Sequence, residues 1–206
     1  MSQYSVIYAV DETLRSLIVD NLDTTSIQIL ADPTKYISFK PPHRLMVNNT
    51  PAKNYLSLFL YRIAENSEVK NRSLEPINGN RLQTPPLALN LFYLITALTK
   101  DNENDDDEAA KNTHKLLGKV MQIFCDHASV KGANLKGVLQ NTTDEFRIIL
   151  NPVSMDDITK LWTSFMCPYY LSVSYEVKVV YINSEQETEA EKVRHRQIQY
   201  TKMAGV

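Results

Sequence analysis

Cysteine, glycine and long apolar runs are all scarce in this chain of 206 residues. The two cysteines, Cys125 and Cys167, are too few for a disulfide framework and suit a reducing compartment. No stretch approaches the ~18 uninterrupted apolar residues that a membrane-spanning helix needs. The first residues also lack the basic and apolar regions of a secretory signal. We therefore expect a soluble cytoplasmic protein without a membrane span.

An excess of charge of one sign is absent as well. The 22 Lys and Arg residues nearly balance the 24 Asp and Glu residues, and the pI is about 6.1. Without a global field, the chain has no general attraction to nucleic acid or to anionic lipid. Its hydrophobic fraction of 43% is that of an ordinary globular domain. Nucleic acid is therefore not an expected partner.

The scarcity of glycine excludes most motifs that bind phosphate or present a nucleophile. No dinucleotide-binding GxGxxG and no GxSxG nucleophile elbow is present. Gly132 and Gly137 do have the spacing of a phosphate-binding loop. However, Val138 and Leu139 stand where that loop needs a lysine and a Ser or Thr. A coincidental spacing of two loop glycines therefore explains the match.

Potential metal ligands and nucleophiles are present, but not in patterns that support a site. If Asp101 is position one of a calcium loop, position twelve is Asn112, which cannot supply the bidentate carboxylate. Cys125 and His127, two residues apart, point to different faces of a helix. Cys167 has no recognisable histidine partner. We expect no metal, no cofactor and no catalytic residue.

Apolar periodicity predicts three helices. Residues 4–22 repeat apolar side chains at three- and four-residue steps, which is typical of an amphipathic helix. A second helix follows an acidic loop over residues 101–108, and its expected buried stripe is Leu116, Leu117, Val120, Met121 and Phe124. A third helix begins after Ser154, which is a predicted N-cap with Asp157 three residues on. It continues through Trp162 and Phe165.

Between the helices, the pattern predicts one sheet. Residues 55–63 and 87–95 carry large apolar side chains at both odd and even positions, as central strands covered on both faces do. Residues 171–181 alternate, which predicts a buried face and a wet face carrying Ser172 and Ser174. Shorter strands are predicted at residues 26–30, 36–39, 45–47 and 146–150. The fold class is therefore α+β, with a single mixed or mainly antiparallel sheet flanked by about three helices.

Polar segments outside this core are the candidate interfaces. Residues 65–86 form a polar excursion, and after Asn183 four acidic residues precede a basic group. That order suits a helix dipole, but the absence of an apolar stripe fits equally well an arm that orders only on a partner. We divide the chain into a domain over 1–182 and a charged arm or helix over 183–206. The candidate interface residues are Asp105, Asp106, Asp107, Glu185, Glu187, Glu189, Glu191, Lys192, Arg194 and Arg196.

Four blocks of this sequence, taken in their order and spacing, resemble a known family. They are YLSLFLYRIAEN (55–66), PPLALNLFYLITA (85–97), HKLLGKVM (114–121) and a stretch from Arg147 through Pro152 and Trp162 to PYYLSVSYEV (168–177). Together they are similar to the cap, or tail-terminator, family of extracellular contractile injection systems of the antifeeding-prophage and Photorhabdus virulence-cassette type. The resemblance covers most of residues 1–182 and leaves the tail unmatched.

The resemblance implies a structural protein with a phage tail-terminator-like fold and no catalytic residues. Such a cap forms a homo-hexameric ring on the distal end of the inner tube and sheath. It ends their polymerisation and stabilises the extended sheath. The implied partners are other copies of the chain and the sheath and inner-tube proteins. The protein would be made in the cytoplasm of the producing bacterium as part of a particle that is released.

Two other classes of protein remain open at the level of sequence. One is another phage-tail-like component, such as a tube-end or head-tail connector protein, which differs in its position and copy number in the particle. The other is an enzyme or small-ligand protein, which a deep pocket with convergent titratable groups would indicate.

Overall fold

The structure is a computed structural model that describes residues 3–22, 30, 32–48, 50–70, 73–78, 81–100 and 106–189. Within these residues the helices are α1 (Val6–Asn21), α2 (Pro33–Tyr36), α3 (Asp106–Asp126) and α4 (Met155–Phe165). The strands are β1 (Ile37–Ser38), β2 (Met46–Val47), β3 (Thr50–Pro51), β4 (Tyr55–Glu65), β5 (Glu75–Asn78), β6 (Arg81–Gln83), β7 (Leu87–Leu98), β8 (Ser129–Lys131), β9 (Glu145–Leu150), β10 (Ser172–Ile182) and β11 (Glu187–Glu189).

The main sheet contains six strands in the order β1-β4-β7-β10-β9-β8. Strand β1 runs parallel to β4, and the other neighbouring strands are antiparallel. The predicted α+β class with a mixed sheet is therefore confirmed. Two smaller sheets, β11-β6-β5 and β2-β3, lie in the described residues outside the main one.

Helices α1 and α3 cover one face of the main sheet and form the core with it. The central strand contributes Leu91 and Tyr93, which are buried with Val10 of α1 and Phe124 of α3. The Phe124 ring meets the ring of Tyr175 edge to face, with 5.1 Å between centroids. Each apolar side chain of this size contributes roughly 1.5–3 kcal/mol when it is buried. The predicted stripe of α3 is buried apart from Met121, which is half-buried.

Helix α4 covers part of the second face of the sheet. Its Phe165 ring packs on Phe59 of β4 at 5.7 Å, and Trp162 is only 2% exposed. The predicted N-cap is confirmed, because the Ser154 side chain accepts a hydrogen bond from the backbone N–H of Asp157. The helix ends at Met166, which takes a left-handed conformation with φ 54°.

The prediction that Ser172 and Ser174 face solvent is wrong. Both are buried, and side chains of other strands in the sheet give their hydroxyl groups partners. Ser172 hydrogen-bonds with Thr96 at 2.8 Å, and Ser174 lies 3.0 Å from the hydroxyl group of Tyr61. Alternation in β10 also breaks at a register shift between Val177 and Val180.

Three other predicted segments have boundaries that differ from the prediction or lie outside the residues that the structure describes. Helix α3 begins at Asp106, so the carboxyl end of the predicted acidic loop at 101–108 is helical. The strand predicted at 26–30 falls almost entirely outside the described residues. In the predicted tail, Glu187–Glu189 form strand β11, which pairs with Arg81–Gln83 of the polar excursion. The division of the chain after residue 182 stays a prediction.

A short 3-10 turn, Gly137–Leu139, packs directly against α1. The backbone N–H of Lys136 donates to the Thr13 hydroxyl group, 3.0 Å away, and that group donates to the carbonyl of Ala9. Gly137 has φ +59°, and a Cβ atom there would lie 3.2 Å from the Cβ atom of Ala9. Glycine is required here by both its backbone conformation and the close approach of α1.

Candidate partner-binding surfaces

The structure separates the predicted interface residues into three places. Asp106 and Asp107 lie in the first turn of α3, and Asp107 pairs with Lys111. Glu185 is exposed just before β11. Glu187 and Glu189 lie in β11. The remaining candidates lie outside the described residues: Asp105, Glu191, Lys192, Arg194 and Arg196.

The acidic end of α3 lies at the carboxyl end of the central strand β7. Just after β7, the Thr99 hydroxyl group donates to the carbonyl of Ala109 at 2.9 Å and lies 2.8 Å from the hydroxyl group of Thr113. These contacts hold the first turns of α3 against the sheet. Asp106, Asp107 and Glu108 therefore mark this end, where carboxylates also suit the helix dipole.

A second charged surface lies on the face of the sheet that α4 covers only in part. We define the cationic sheet face as Arg62, Lys131, Arg147 and Lys178. Arg147 stands directly opposite Lys178 across β9 and β10. The Arg62 guanidinium lies over the Phe92 ring, 5.1 Å from its centroid. Among the described residues, none of the four cations forms an ion pair within 4.0 Å.

Two carboxylates lie among these cations and are held by other groups. Glu145 accepts a hydrogen bond from the Ser129 hydroxyl group at 2.6 Å, and Glu176 accepts one from the Asn90 amide at 2.7 Å. The Ser129 bond, with help from Lys131 and Arg147, lowers the pKa of Glu145. The four cations therefore exceed the two carboxylates, and the cationic sheet face keeps a positive balance.

Side-chain hydrogen bonds across the strands give this surface a defined geometry. The Asn66 amide donates to Asn90 at 2.9 Å, and Asn90 in turn donates to Glu176. Asn151 donates to the Ser174 hydroxyl group at 3.1 Å. Paired polar groups of this kind limit rotamer freedom, so a partner would meet a preformed surface.

An apolar patch follows the carboxyl end of α4. Met166 is 89% exposed, Tyr169 47% and Leu171 42%. Of the three, Tyr169 packs edge to face on Trp162 with 5.7 Å between ring centroids. Because exposed apolar side chains gathered in one place mark interaction sites, this patch is a second candidate contact surface.

A groove of about 350 Å³ runs between α4 and the sheet, with Leu94, Ile158 and Leu161 in its lining. Its ionisable groups have structural roles, because Asp157 belongs to the N-cap and Lys160 pairs with Asp156. Within the described residues, no group of three His, Cys, Asp or Glu is placed to hold a metal ion. The groove therefore lacks the convergent titratable groups that catalysis uses.

The perturbed ionisable groups elsewhere have environments that suit structural roles. The Tyr93 hydroxyl group donates to the Asp11 carboxylate at 2.6 Å, between β7 and α1. Burial raises the pKa of Asp11 and, together with Asp11, raises that of Tyr93. Burial also raises the pKa of the Cys167 thiol. A raised pKa disfavours the thiolate that nucleophilic chemistry needs.

The cationic sheet face was missed by sequence reasoning. Arg147 stands between the buried Phe146 and Ile148, and Lys178 follows the buried Val177, so each occupies a polar position of its strand. The polar position of each cation could be predicted from the alternation in its own strand. The pairing of β9 with β10 could not be predicted, and only this pairing places the two cations opposite each other.

The part of the chain that the structure describes thus combines a mixed sheet with charged and apolar surfaces. Residues 9–196 match the family described as the Pvc16 N-terminal domain, and the chain belongs to that family. This confirms the relationship that the sequence blocks suggested. The match also extends past residue 182 into the charged tail. No curated protein sequence matches the chain.

Solved structures that share this fold include a sheath/tube terminator and a tube-terminating cap. The sheath/tube terminator of an extracellular contractile injection system, PVC, in its extended state superposes with a TM-score of 0.62 at 16% identity. That alignment covers 97% of this chain and 65% of the terminator chain. The tube-terminating cap of the anti-feeding prophage gives a TM-score of 0.57 at 18% identity, over 95% of this chain and 60% of the cap. This chain thus spans less than two thirds of either relative's length.

Proposed function

We propose that this protein is a structural cap, or tail terminator, of a contractile injection system. It binds the distal end of the inner tube and sheath, ends their polymerisation and stabilises the extended sheath. The observation that carries the proposal is the family match over residues 9–196. The fold shared with a sheath/tube terminator and a tube-terminating cap supports it.

The physical features of the chain fit this role. A cap must present several distinct surfaces, because it contacts its own copies as well as the ends of two polymers. The described residues provide a cationic sheet face, an acidic helix end and an apolar patch, all at different places. We propose that the partners are other copies in a homo-hexameric ring and the sheath and tube proteins.

A non-enzymatic role is part of the proposal. Its support is that the groove beside α4 is lined mainly by apolar and structurally engaged side chains. No helix in the described residues combines the length and apolarity needed to cross a bilayer. We further propose that the chain is made in the bacterial cytoplasm and leaves it within the assembled particle.

The direct test is to delete the gene from a particle-producing strain and to measure the particles by electron microscopy. A cap predicts tubes and sheaths of uncontrolled length, or sheaths that contract early, and recovery when the gene is restored. Particles of normal length and normal extended state in the deletion strain would exclude the function.

The same strain separates the cap from another tail component. A tagged copy of the protein, labelled with gold, should appear once per particle at the distal end. Labelling at the opposite end, or along the tube, would favour a connector or tube-end protein instead.

A further inference from the structure

We propose that the cationic sheet face is the docking site for the acidic amino-terminal end of α3 of a second copy. Neighbouring subunits of the ring would then be joined head to tail by complementary charge. The occupant is the first turn of α3, with Asp106, Asp107 and Glu108. In the sequence, Asp101, Glu103 and Asp105 come just before it. The inference rests on the proposed function only for the existence of a ring.

The first argument is the placement of cations within the sheet. Like charges directly opposite each other on neighbouring strands destabilise a sheet. Arg147 and Lys178 stand in that relation, and the described residues offer neither of them an ion pair. Glu145 and Glu176 lower the positive balance but engage Ser129 and Asn90. An acidic partner would therefore relieve a repulsion that the isolated subunit retains.

The second argument is that the first turn of α3 lies far from this face in its own subunit. Lys178 follows Val177, which pairs with Leu91, whereas the acidic end is held by Thr99 beyond the far end of β7. At about 3.3 Å per residue, Leu91 and Thr99 are about 26 Å apart along the strand. Helix α3 also packs on the opposite face of the sheet, through Phe124 and Tyr175.

The third argument is the symmetry of the two surfaces. They are complementary in charge but lie at different ends and on different faces of the subunit. Two such surfaces make a heterologous contact, which generates a ring when the rotation between subunits closes. A contact between two identical surfaces requires a surface that is complementary to itself. Neither charged surface meets this requirement, because each would face a second copy of its own charge. Head-to-tail association is the arrangement that the charges favour.

The experiment is a charge-reversal exchange on the full chain, with association measured by sedimentation and native mass spectrometry. The basic-face variant is Arg147→Glu with Lys178→Glu, which keeps a like-charge pair and so preserves the intrinsic repulsion of the sheet. The acidic-end variant is Asp107→Lys with Glu108→Lys. A separate neutral variant, Asp107→Asn with Glu108→Gln, removes the two charges without reversing them. Lys40→Glu with Arg44→Glu is the control, with the same change of charge at exposed positions outside both surfaces. Circular dichroism checks that each variant is folded.

We expect each reversal to weaken association at least tenfold and the neutral acidic variant to weaken it less. Mixing the two reversed proteins should restore a heterologous contact between unlike copies, and the control should associate as the wild type does. Association of both reversed variants at the wild-type level would overturn the inference. The basic-face variant is also mixed with a protein that carries Glu185→Lys and Glu191→Lys. If this protein, and not the α3 reversal, restores association, the charged tail is the occupant and the inference is overturned.

The outcomes distinguish this inference from the proposed function. Wild-type protein that restores normal particles but never associates with itself overturns the inference and leaves the cap function intact. Protein that forms charge-dependent rings but does not restore the deletion strain overturns the cap function and supports the interface.

Discussion

The hydrogen bond between Tyr93 and Asp11 connects the central strand to helix α1 inside the core. Burial raises the pKa of Asp11 above its ordinary value of 3.8, although the Tyr93 bond opposes this shift. The folded protein therefore keeps a proton on Asp11 at pH values where the unfolded chain has lost it. The resulting stability is fully present below about pH 3.8 and is lost as the pH rises through the raised pKa.

Changing Asp11 should alter this pH dependence in a defined direction. Asp11→Asn removes the titrating group, so we expect the free energy of unfolding to fall less between pH 3.8 and neutrality than in the wild type. Tyr93→Phe removes the opposing hydrogen bond and should steepen the fall, with a loss of about 1–3 kcal/mol at neutral pH. Urea unfolding at a series of pH values measures both. Parallel curves for all three proteins would contradict the assignment.

Two glycines provide a matched pair at the residue scale. Gly137→Ala should destabilise the protein by about 1–2 kcal/mol or more, because φ is +59° and the Cβ atom would press on Ala9. Gly118→Ala, in helix α3, meets nothing within 4 Å and should stabilise by about 0.5–1 kcal/mol. Urea unfolding compares the two variants. Equal effects of the two substitutions would show that the turn at Gly137 is not constrained as described.

At the scale of elements, the start of α4 depends on a local cap. Ser154→Ala removes the acceptor for the backbone N–H of Asp157 and should cost about 1 kcal/mol of stability. Ser164→Ala is the control, because its hydroxyl group only donates to a carbonyl within the same helix. Thermal unfolding followed by circular dichroism should show a lower Tm for the first variant alone. A similar Tm for both variants would argue against the cap.

Strand β11 is an element that the main sheet does not require. It pairs with β6, and just before it the Gln83 amide donates to the carbonyl of Ser184. Deleting residues 184–206 should therefore cost roughly 1–2 kcal/mol and leave the chain folded. We expect assembly to weaken, because the charged tail is a candidate arm toward sheath or a neighbouring copy. A deletion of 190–206 alone, which keeps β11, separates the arm from the strand.

Normal particles from the deletion of residues 184–206 would show that assembly does not need contacts made by the arm. The comparison is made in the gene-deletion strain, with sheath length measured by electron microscopy and folding by circular dichroism. An unfolded product would instead show that β11 supports the domain.

At the scale of the whole molecule, association driven by separated charges must depend on salt. The Debye length falls from about 10 Å at 0.1 M to about 3 Å at 1 M. If the cationic sheet face and the acidic end of α3 join neighbouring subunits, self-association should weaken clearly over that range. Sedimentation at both salt concentrations measures the change. Stronger association at high salt would indicate an apolar interface, for which the patch of Met166, Tyr169 and Leu171 is the available candidate.

Local patterns predicted most of the elements because their causes are local. The helical spacing from residue 4 onward, the Ser154 cap and the dense apolar run in β7 each depend on neighbours within a few positions. Errors arose where distant parts of the chain decided the outcome. Ser172 and Ser174 look like residues of a wet face until Thr96 and Tyr61 meet them from other strands.

By itself, the sequence determined the α+β class, the positions of the long elements and the family, because periodicity and the order of blocks are properties of the chain alone. The tertiary structure decided which charges became neighbours. Arg147 and Lys178 are 31 positions apart and meet only through the register of β9 with β10. Register depends on the packing of both faces of the sheet, and no local pattern encodes it.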